Sequence, residues 1–124
     1  MEKKKLLESS VVDLSLLNEC FFGETELQID VINIFLKETP SKVDAIKSGI
    51  TEQNHTQIRE NAHYLKSTFS TLGVPLNKEY LQLEELAREN ESLSKINAIF
   101  ESTLPTFNKC YQEYERILNE LKIN

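Results

Sequence analysis

Residues 54–73 read NHTQIRENAHYLKSTFSTLG, and this stretch is the clearest guide to the fold. Its apolar residues recur every three or four positions, which is the period of an amphipathic α-helix. Asn54 and Gln57 have the spacing of a capping box, which marks the start of a helix, whereas Gly73 and Pro75 favour its end. The stretch therefore predicts a helix of about five turns.

The composition of the chain is typical of an all-α protein. Its 124 residues are 40% hydrophobic and 27% charged, with only three Gly and three Pro, which leaves little material for a loop-rich or all-β fold. The length suits one core, and no repeat, low-complexity tract or Gly/Ser-rich linker divides the chain. We therefore predict a single domain spanning residues 1–124.

The residues before this stretch predict two more helices. A short apolar segment over 13–22 stops at Gly23, which suits a helix C-cap. Thr25 and Gln28 have a second capping-box spacing, so a long helix is predicted to begin there, with a kink or a brief break near Pro40. Its first half is apolar on two sides, and we expect these positions to be heavily buried: Leu27, Ile29, Val31, Ile32, Ile34, Phe35 and Leu36.

The residues after Gly73 predict a fourth and a fifth helix. Ser92 or Ser94 can cap the fifth helix, which is the longest and which Pro105 is expected to bend. Short connections between consecutive helices favour antiparallel neighbours. We therefore predict an antiparallel four-helix bundle with an additional short N-terminal helix.

Charge and cysteine content exclude several classes of function. The formal net charge of −6 argues against a nucleic-acid partner, because a surface that follows phosphates needs a basic excess. No apolar run is long enough for a signal peptide or a membrane span, so we expect a cytoplasmic protein without a membrane partner. We also expect a monomer. Cys20 and Cys110 lie far apart with no histidine at metal-ligand spacing, which predicts two buried free thiols and no metal site.

His63 is the residue of greatest chemical interest in the 54–73 helix. At 100° per residue it lies roughly 140° from the centre of the apolar stripe, so its imidazole should face solvent. A neutral imidazole is nucleophilic near neutral pH, and nearby cations stabilise phosphoryl oxygens. From this geometry alone, an ordinary surface histidine is the favoured interpretation, and a reactive histidine is the alternative. The residues that share its face are Arg59, Lys66, Ser67 and Ser70.

Other polar and aromatic residues are interpreted more simply. His55 is predicted to be a surface residue at the start of the same helix. Tyr64 falls off the buried stripe, and either docking of a partner or packing against a neighbouring helix would account for it. No Gly-rich phosphate loop occurs, which argues against an ATP-binding kinase core in this chain. We interpret Glu84, Glu85, Glu89 and Glu91 as a solvated charged face rather than as a pair of catalytic acids.

The run from Ala62 to Gly73, AHYLKSTFSTLG, resembles the signature of the histidine-containing phosphotransfer (HPt) domain, in which alanine-histidine is followed by leucine-lysine-glycine and a later glycine. The similarity extends to FLKETP at residues 35–40 and to Leu83 and Glu84 in the next helix. Together these segments span about half of the chain, and the predicted helical layout agrees with the family fold.

The resemblance implies that His63 is a phosphoacceptor and that Lys66 is the adjoining lysine of the motif. It implies a phosphorelay intermediate that takes a phosphoryl group from a receiver-domain aspartate and passes it to another receiver. Response-regulator receivers and a hybrid histidine kinase are the implied partners; the chain has no cofactor or catalytic machinery of its own, and Mg²⁺ belongs to the receiver.

Ser67 departs from the family pattern, which most often has glycine at this position, and so indicates a different docking geometry or a particular subset of receivers. A helical adaptor of the same fold with an idle histidine is the alternative function. A second alternative is a structural helical module whose function is unrelated to phosphate.

Overall fold

The computed structural model describes residues 6–123 and confirms the all-α prediction. Across these residues the helices are α1 (Ser15–Phe21), α2 (Thr25–Thr51), α3 (His55–Thr71), α4 (Asn77–Arg88) and α5 (Leu93–Ile123). Helix α2 packs against α3, α3 against α4, α4 against α5, and α5 back against α2, while α1 contacts α2. Because only a few residues connect each helix to the next, neighbouring helices run antiparallel and close a four-helix bundle. Over the same residues, no helix has the length and apolar composition needed to cross a membrane.

The core is built from one buried stripe on each long helix. In α3 the buried residues are Ile58, Ala62, Leu65 and Phe69, which matches the stripe predicted from periodicity. The ring of Phe69 meets that of Tyr80 edge-on, with 4.9 Å between centroids, and so joins α3 to α4. These contacts bury one face of α3 and leave the opposite face available for chemistry.

Helix α2 passes through Pro40 without a break. A proline has no backbone N–H, so the carbonyl four residues earlier loses its helical partner. That carbonyl belongs to Leu36, and the Tyr111 hydroxyl of α5 donates a hydrogen bond to it at 2.9 Å. A side chain of the neighbouring helix therefore satisfies the acceptor that Pro40 leaves free.

The capping box predicted at Thr25 is wrong. The residue at the N-cap position is Glu24, whose side chain makes no capping hydrogen bond, and Thr25 is already helical. The Gln28 side chain instead lies buried and donates from Nε2 to the Phe21 carbonyl at 2.9 Å. Gln28 therefore ties the start of α2 to the end of α1.

Three residues predicted to be buried are exposed. Leu27 and Ile34 have 46% and 58% of their surface accessible, because α5 and α3 cover only one of the two apolar sides of α2. Cys20 is also exposed on the short α1, whereas Cys110 is buried in α5 as predicted.

The two ends of α3 are fixed by different means. At its start, the Asn54 side chain accepts a hydrogen bond from the Gln57 N–H at 3.0 Å, as half of the predicted capping box. After its end, Gly73 adopts a positive φ of 64°, and the Val74 N–H returns to the Phe69 carbonyl at 2.9 Å. The Gly73 carbonyl also accepts a hydrogen bond from the Asp13 N–H at 3.0 Å.

Replacing Gly73 with alanine should destabilise the protein by at least about 2 kcal/mol, since an L-residue is strained at this φ. The new Cβ would also lie 1.9 Å from the Asp13 carbonyl oxygen, so the N-terminal segment must move. Urea unfolding of wild type and variant measures the loss. Ser70→Ala, exposed on the same helix, is the control and should change stability by less than about 0.5 kcal/mol. An equally small loss for Gly73→Ala would contradict this account of the turn.

A polar cluster holds the N-terminal segment against α5. The Arg116 guanidinium donates to both carboxylate oxygens of Glu113 at 2.8 Å, and the Ser9 hydroxyl donates to the same carboxylate. The hydrogen bonds from Arg116, and to a lesser degree the one from Ser9, lower the pKa of Glu113 to about 2. Arg116 also reaches the Glu8 carbonyl at 3.4 Å.

This cluster predicts an acid-dependent loss of stability. Because the pKa of Glu113 falls on folding from 4.5 to about 2, its stabilising contribution is complete above pH 4.5 and disappears as the pH approaches 2. The free energy of unfolding of Glu113→Gln should therefore fall less than that of wild type over this range. Glu115→Gln, exposed on the same helix, is the control and should follow the wild-type curve. Identical pH profiles for Glu113→Gln and wild type would show that the cluster does not stabilise the fold.

Candidate functional site

His63 projects from the exposed face of α3, as predicted. Its side chain is 64% exposed, although its neighbours Ala62 and Leu65 are completely buried. One turn of a well-packed helix therefore presents the imidazole to solvent on a fixed backbone.

The imidazole is held by a carboxylate of the neighbouring helix. His63 Nδ1 lies 2.8 Å from Oε2 of Glu84 on α4, while Lys66 Nζ donates to Oε1 of the same carboxylate at 2.8 Å. Only 8% of the Glu84 surface is accessible. One buried carboxylate thus joins the histidine and the lysine of α3 in a single network.

Electrostatics keep Glu84 ionised. Burial by itself would raise the pKa of Glu84, but the hydrogen bonds from Lys66 and His63, together with the charge on Lys66, hold it below its ordinary value. An ionised carboxylate only accepts hydrogen bonds, so Nδ1 of the neutral imidazole must carry the proton. The lone pair of the second ring nitrogen, Nε2, is then free on an exposed side chain.

Two further residues support this network from α4. Arg88 places Nη2 3.8 Å from Oε2 of Glu84, one helical turn further along. Asn77, at the start of α4, donates from Nδ2 to the Lys66 carbonyl at 2.9 Å. The first turn of α4 is therefore tied to the backbone of α3 close to the site.

The prediction that Glu84 belongs to a solvated charged face is wrong. At 100° per residue it lies about 80° from the centre of the apolar side of α4, where periodicity does not separate a buried residue from an exposed one. Its partners come from another helix, and the sequence contains no local pattern that pairs it with His63. The resemblance of Leu83 and Glu84 to the family pattern was the one signal of this position.

The remaining predicted site residues lie around His63 at different distances from the network. Ser67 and Ser70 are exposed on the same face of α3. Arg59 is half-buried one turn earlier, but the guanidinium that approaches Glu84 is that of Arg88. The structure therefore brings His63 and Lys66 together through Glu84 and leaves the two serines at the solvent surface.

His55 has a separate structural place. Its Nε2 lies 2.8 Å from the Glu91 carbonyl, in the connection between α4 and α5. His55 is the first residue of α3, which agrees with the prediction that it lies at the start of the helix. Within residues 6–123, no three His, Cys, Asp or Glu side chains are grouped so that they could hold a metal ion.

Comparison with known proteins places this site in a family. A model of the Hpt domain matches residues 30–121, whereas no curated protein matches the sequence. Among solved structures, the chain is similar to histidine-containing phosphotransfer protein B from Pseudomonas aeruginosa PAO1, with a TM-score of 0.81 and 18% identity. The match covers 91% of this chain and 98% of that one, and at this identity it shows the shared fold. Since the family model matches about three quarters of the sequence, the chain belongs to the Hpt domain family, and its role is histidine phosphotransfer in a phosphorelay.

Proposed function

We propose that His63 is the residue that accepts a phosphoryl group from a receiver-domain aspartyl phosphate and passes it to the aspartate of another receiver. The observation that carries this proposal is the hydrogen bond between Nδ1 and the Glu84 carboxylate. It fixes the orientation of the ring and directs the lone pair of the neutral imidazole to Nε2.

The transfer step follows from this tautomer. Nε2 attacks the phosphorus atom, an N–P bond forms, and the bond between phosphorus and the receiver's aspartate oxygen breaks with its electron pair on that oxygen. The proton on Nδ1 stays in place, so the phosphorylated ring becomes positively charged. The Glu84 carboxylate offsets that charge, much as an orienting carboxylate stabilises an imidazolium in other histidine-dependent sites.

The reverse chemistry uses the same arrangement. An aspartate oxygen of the next receiver attacks phosphorus, and the N–P electron pair returns to Nε2. Because the ring still carries the Nδ1 proton, it leaves as neutral imidazole and needs no proton from solvent. One hydrogen bond therefore serves both the acceptance and the release of the phosphoryl group.

Lys66 is proposed to stabilise the phosphoryl group. Its side chain is 27% exposed and bound to Glu84 before phosphorylation. A flexible ammonium group can exchange that carboxylate for phosphoryl oxygens when the ring is modified. The hydroxyls of Ser67 and Ser70 can also donate to these oxygens, and Arg59 is a candidate for a weaker, longer-range contribution.

The partner is proposed to supply everything else that the reaction requires. Response-regulator receivers bring the aspartate and the Mg²⁺ ion, which provides charge neutralisation at the phosphoryl group, and a hybrid histidine kinase is the upstream source. The chain then acts as a carrier without catalytic machinery of its own. A cytoplasmic, monomeric protein remains our prediction.

Transfer of label from a receiver tests this function directly. The wild-type protein is mixed with ³²P-labelled receiver domains encoded in the same genome, and acid-labile label on the chain is followed with time. Wild type should acquire label from at least one receiver, and His63→Gln should acquire none because the nucleophile is absent.

His55→Gln is the matched control for this experiment and should be labelled like wild type. Unlabelled wild type across all receivers, with binding retained, would favour the adaptor with an idle histidine. Label that persists on His63→Gln would place the acceptor elsewhere.

Replacing Glu84 with glutamine should slow transfer to His63 by about 10- to 100-fold, the range typical for the loss of a group that hydrogen-bonds and orients a metal-binding histidine. A neutral amide cannot compensate the positive ring and does not enforce the Nδ1–H tautomer. Quench-flow measurement of labelling at saturating receiver gives the rate, and circular dichroism checks the fold. Glu85→Gln, exposed beside it, is the control. An unchanged rate for Glu84→Gln would remove the carboxylate from the mechanism.

A further inference from the structure

The Glu84 carboxylate has three basic neighbours, and Arg88 is the most distant of them. The Glu84 side chain is only 11% exposed, and His63 and Lys66 each contact one of its oxygens at 2.8 Å. The Arg88 guanidinium lies 3.8 Å from Oε2, beyond the distance of a hydrogen bond. Within residues 6–123, no other basic side chain comes within 4.0 Å of this carboxylate. Arg88 therefore stands beside the network without donating to it.

The proposed phosphorylation of His63 changes the partners of Glu84. When Lys66 leaves Oε1 for the phosphoryl oxygens, the Nδ1 proton of His63 still binds Oε2, but Oε1 has lost its donor. Burial acts to raise the pKa of Glu84, and the hydrogen bond from Lys66 is the largest effect that opposes it. A buried carboxylate oxygen without a donor is costly in free energy. Unless another group donates to Oε1, this cost opposes the movement of Lys66.

Arg88 has the reach and the chemistry to supply that donor. It follows Glu84 by one helical turn, and its side chain is 56% exposed, so a rotation carries it through solvent rather than through the core. A movement of about 1 Å would bring the guanidinium within hydrogen-bond distance. Because a guanidinium has several N–H donors in one plane, it can bind both oxygens of one carboxylate and stays charged at any physiological pH.

Arg88 also has a simpler structural explanation. It lies in the last turn of α4, where a positive charge is favoured by the helix dipole without any contact to Glu84. A test must therefore distinguish a contribution to the end of the helix from a contribution to the Glu84 carboxylate.

We propose that Arg88 is a positioning residue that takes the place of Lys66 at the Glu84 carboxylate while Lys66 binds the phosphoryl group on His63. This inference rests on the proposed function. Through the exchange, both oxygens of Glu84 have a donor whether or not the histidine is phosphorylated, and the ring keeps its orientation. Lys66 can then move to the phosphoryl group without leaving a buried oxygen unpaired.

The exchange can be tested without phosphorylation, because Lys66→Ala removes Lys66 from Glu84 permanently. Titration followed by ¹³C NMR of the Glu84 carboxyl measures its pKa. In the Lys66→Ala background, Arg88→Gln should raise the pKa of Glu84, since the nearest remaining cation is lost. With Lys66 in place, the same substitution should raise it less. Arg88→Lys, which keeps the charge, should largely preserve the pKa.

The equilibrium constant for phosphotransfer between a receiver and His63 tests the role in the relay. The experiment uses the receiver that labels wild type fastest and measures the distribution of label at equilibrium. Arg88→Gln should shift it away from phosphohistidine by about two- to fivefold, as expected for an ion pair on a partly exposed side chain. In the Lys66→Ala background it should cause no further shift, because Arg88 then binds Glu84 both before and after phosphorylation.

Lys78→Gln is the matched control, because it removes one positive charge from an exposed position on the same helix. It should change neither the pKa of Glu84 nor the transfer equilibrium. Urea unfolding should show that all the variants remain folded.

Each outcome decides the proposal. A shift of the transfer equilibrium that persists in the Lys66→Ala background would place Arg88 on the phosphoryl group itself and overturn the exchange. An unchanged equilibrium for Arg88→Gln alone would leave Arg88 as a charge at the end of a helix. If no receiver labels the wild type, the proposed function fails, and the pKa comparison still decides whether Arg88 replaces Lys66. An unchanged pKa of Glu84 on adding Arg88→Gln to Lys66→Ala would show that it does not.

Discussion

The buried carboxylate of Glu84 is the constraint on which the rest of the site depends. A charge with 8% of its surface accessible is costly unless it is paired, and both of its oxygens accept hydrogen bonds from α3. The pairing in turn dictates where His63 and Lys66 lie relative to α4. The side chains of Glu84, His63 and Lys66 therefore contribute both to the stability of the fold and to the chemistry of the site. The orientation of the imidazole follows because the buried Glu84 carboxylate must be hydrogen-bonded.

This constraint also divides the surface of α3. Helical geometry separates consecutive residues by 100°, so a histidine that contacts α4 leaves its sequence neighbour Tyr64 directed toward α2. The polar, charged side of the histidine holds Lys66 and Glu84. The other side is apolar and open. Since the two sides share one helix, the imidazole of His63 has a fixed position relative to both of them.

The helices could be predicted from periodicity because each of them buries a regular stripe. The exposure of His63 followed from the same argument, since a residue opposite the stripe of α3 points away from the core. Glu84 could not be recognised as a partner of His63, because the pairing forms between helices that are separated in sequence and Glu84 lies at the edge of its own stripe. Ile34 was misjudged because α2 is apolar on two sides, and sequence alone does not tell which side the neighbouring helices cover. Thr25 has capping-box spacing, but the Gln28 side chain bonds to Phe21 instead.

The ends of α3 show why a histidine on a helix can serve a relay. Asn54 caps the start of the helix, and at its other end the Tyr114 hydroxyl donates to the Leu72 carbonyl while the turn at Gly73 is bonded to Asp13. The backbone that carries His63 is thus held at both ends by neighbouring elements. Lys66, by contrast, reaches Glu84 through a long side chain with rotatable bonds. A ring that stays in place and a cation that can move suit the proposed carrier, because the nucleophile must meet two receivers in one geometry while the charge around it changes with every transfer.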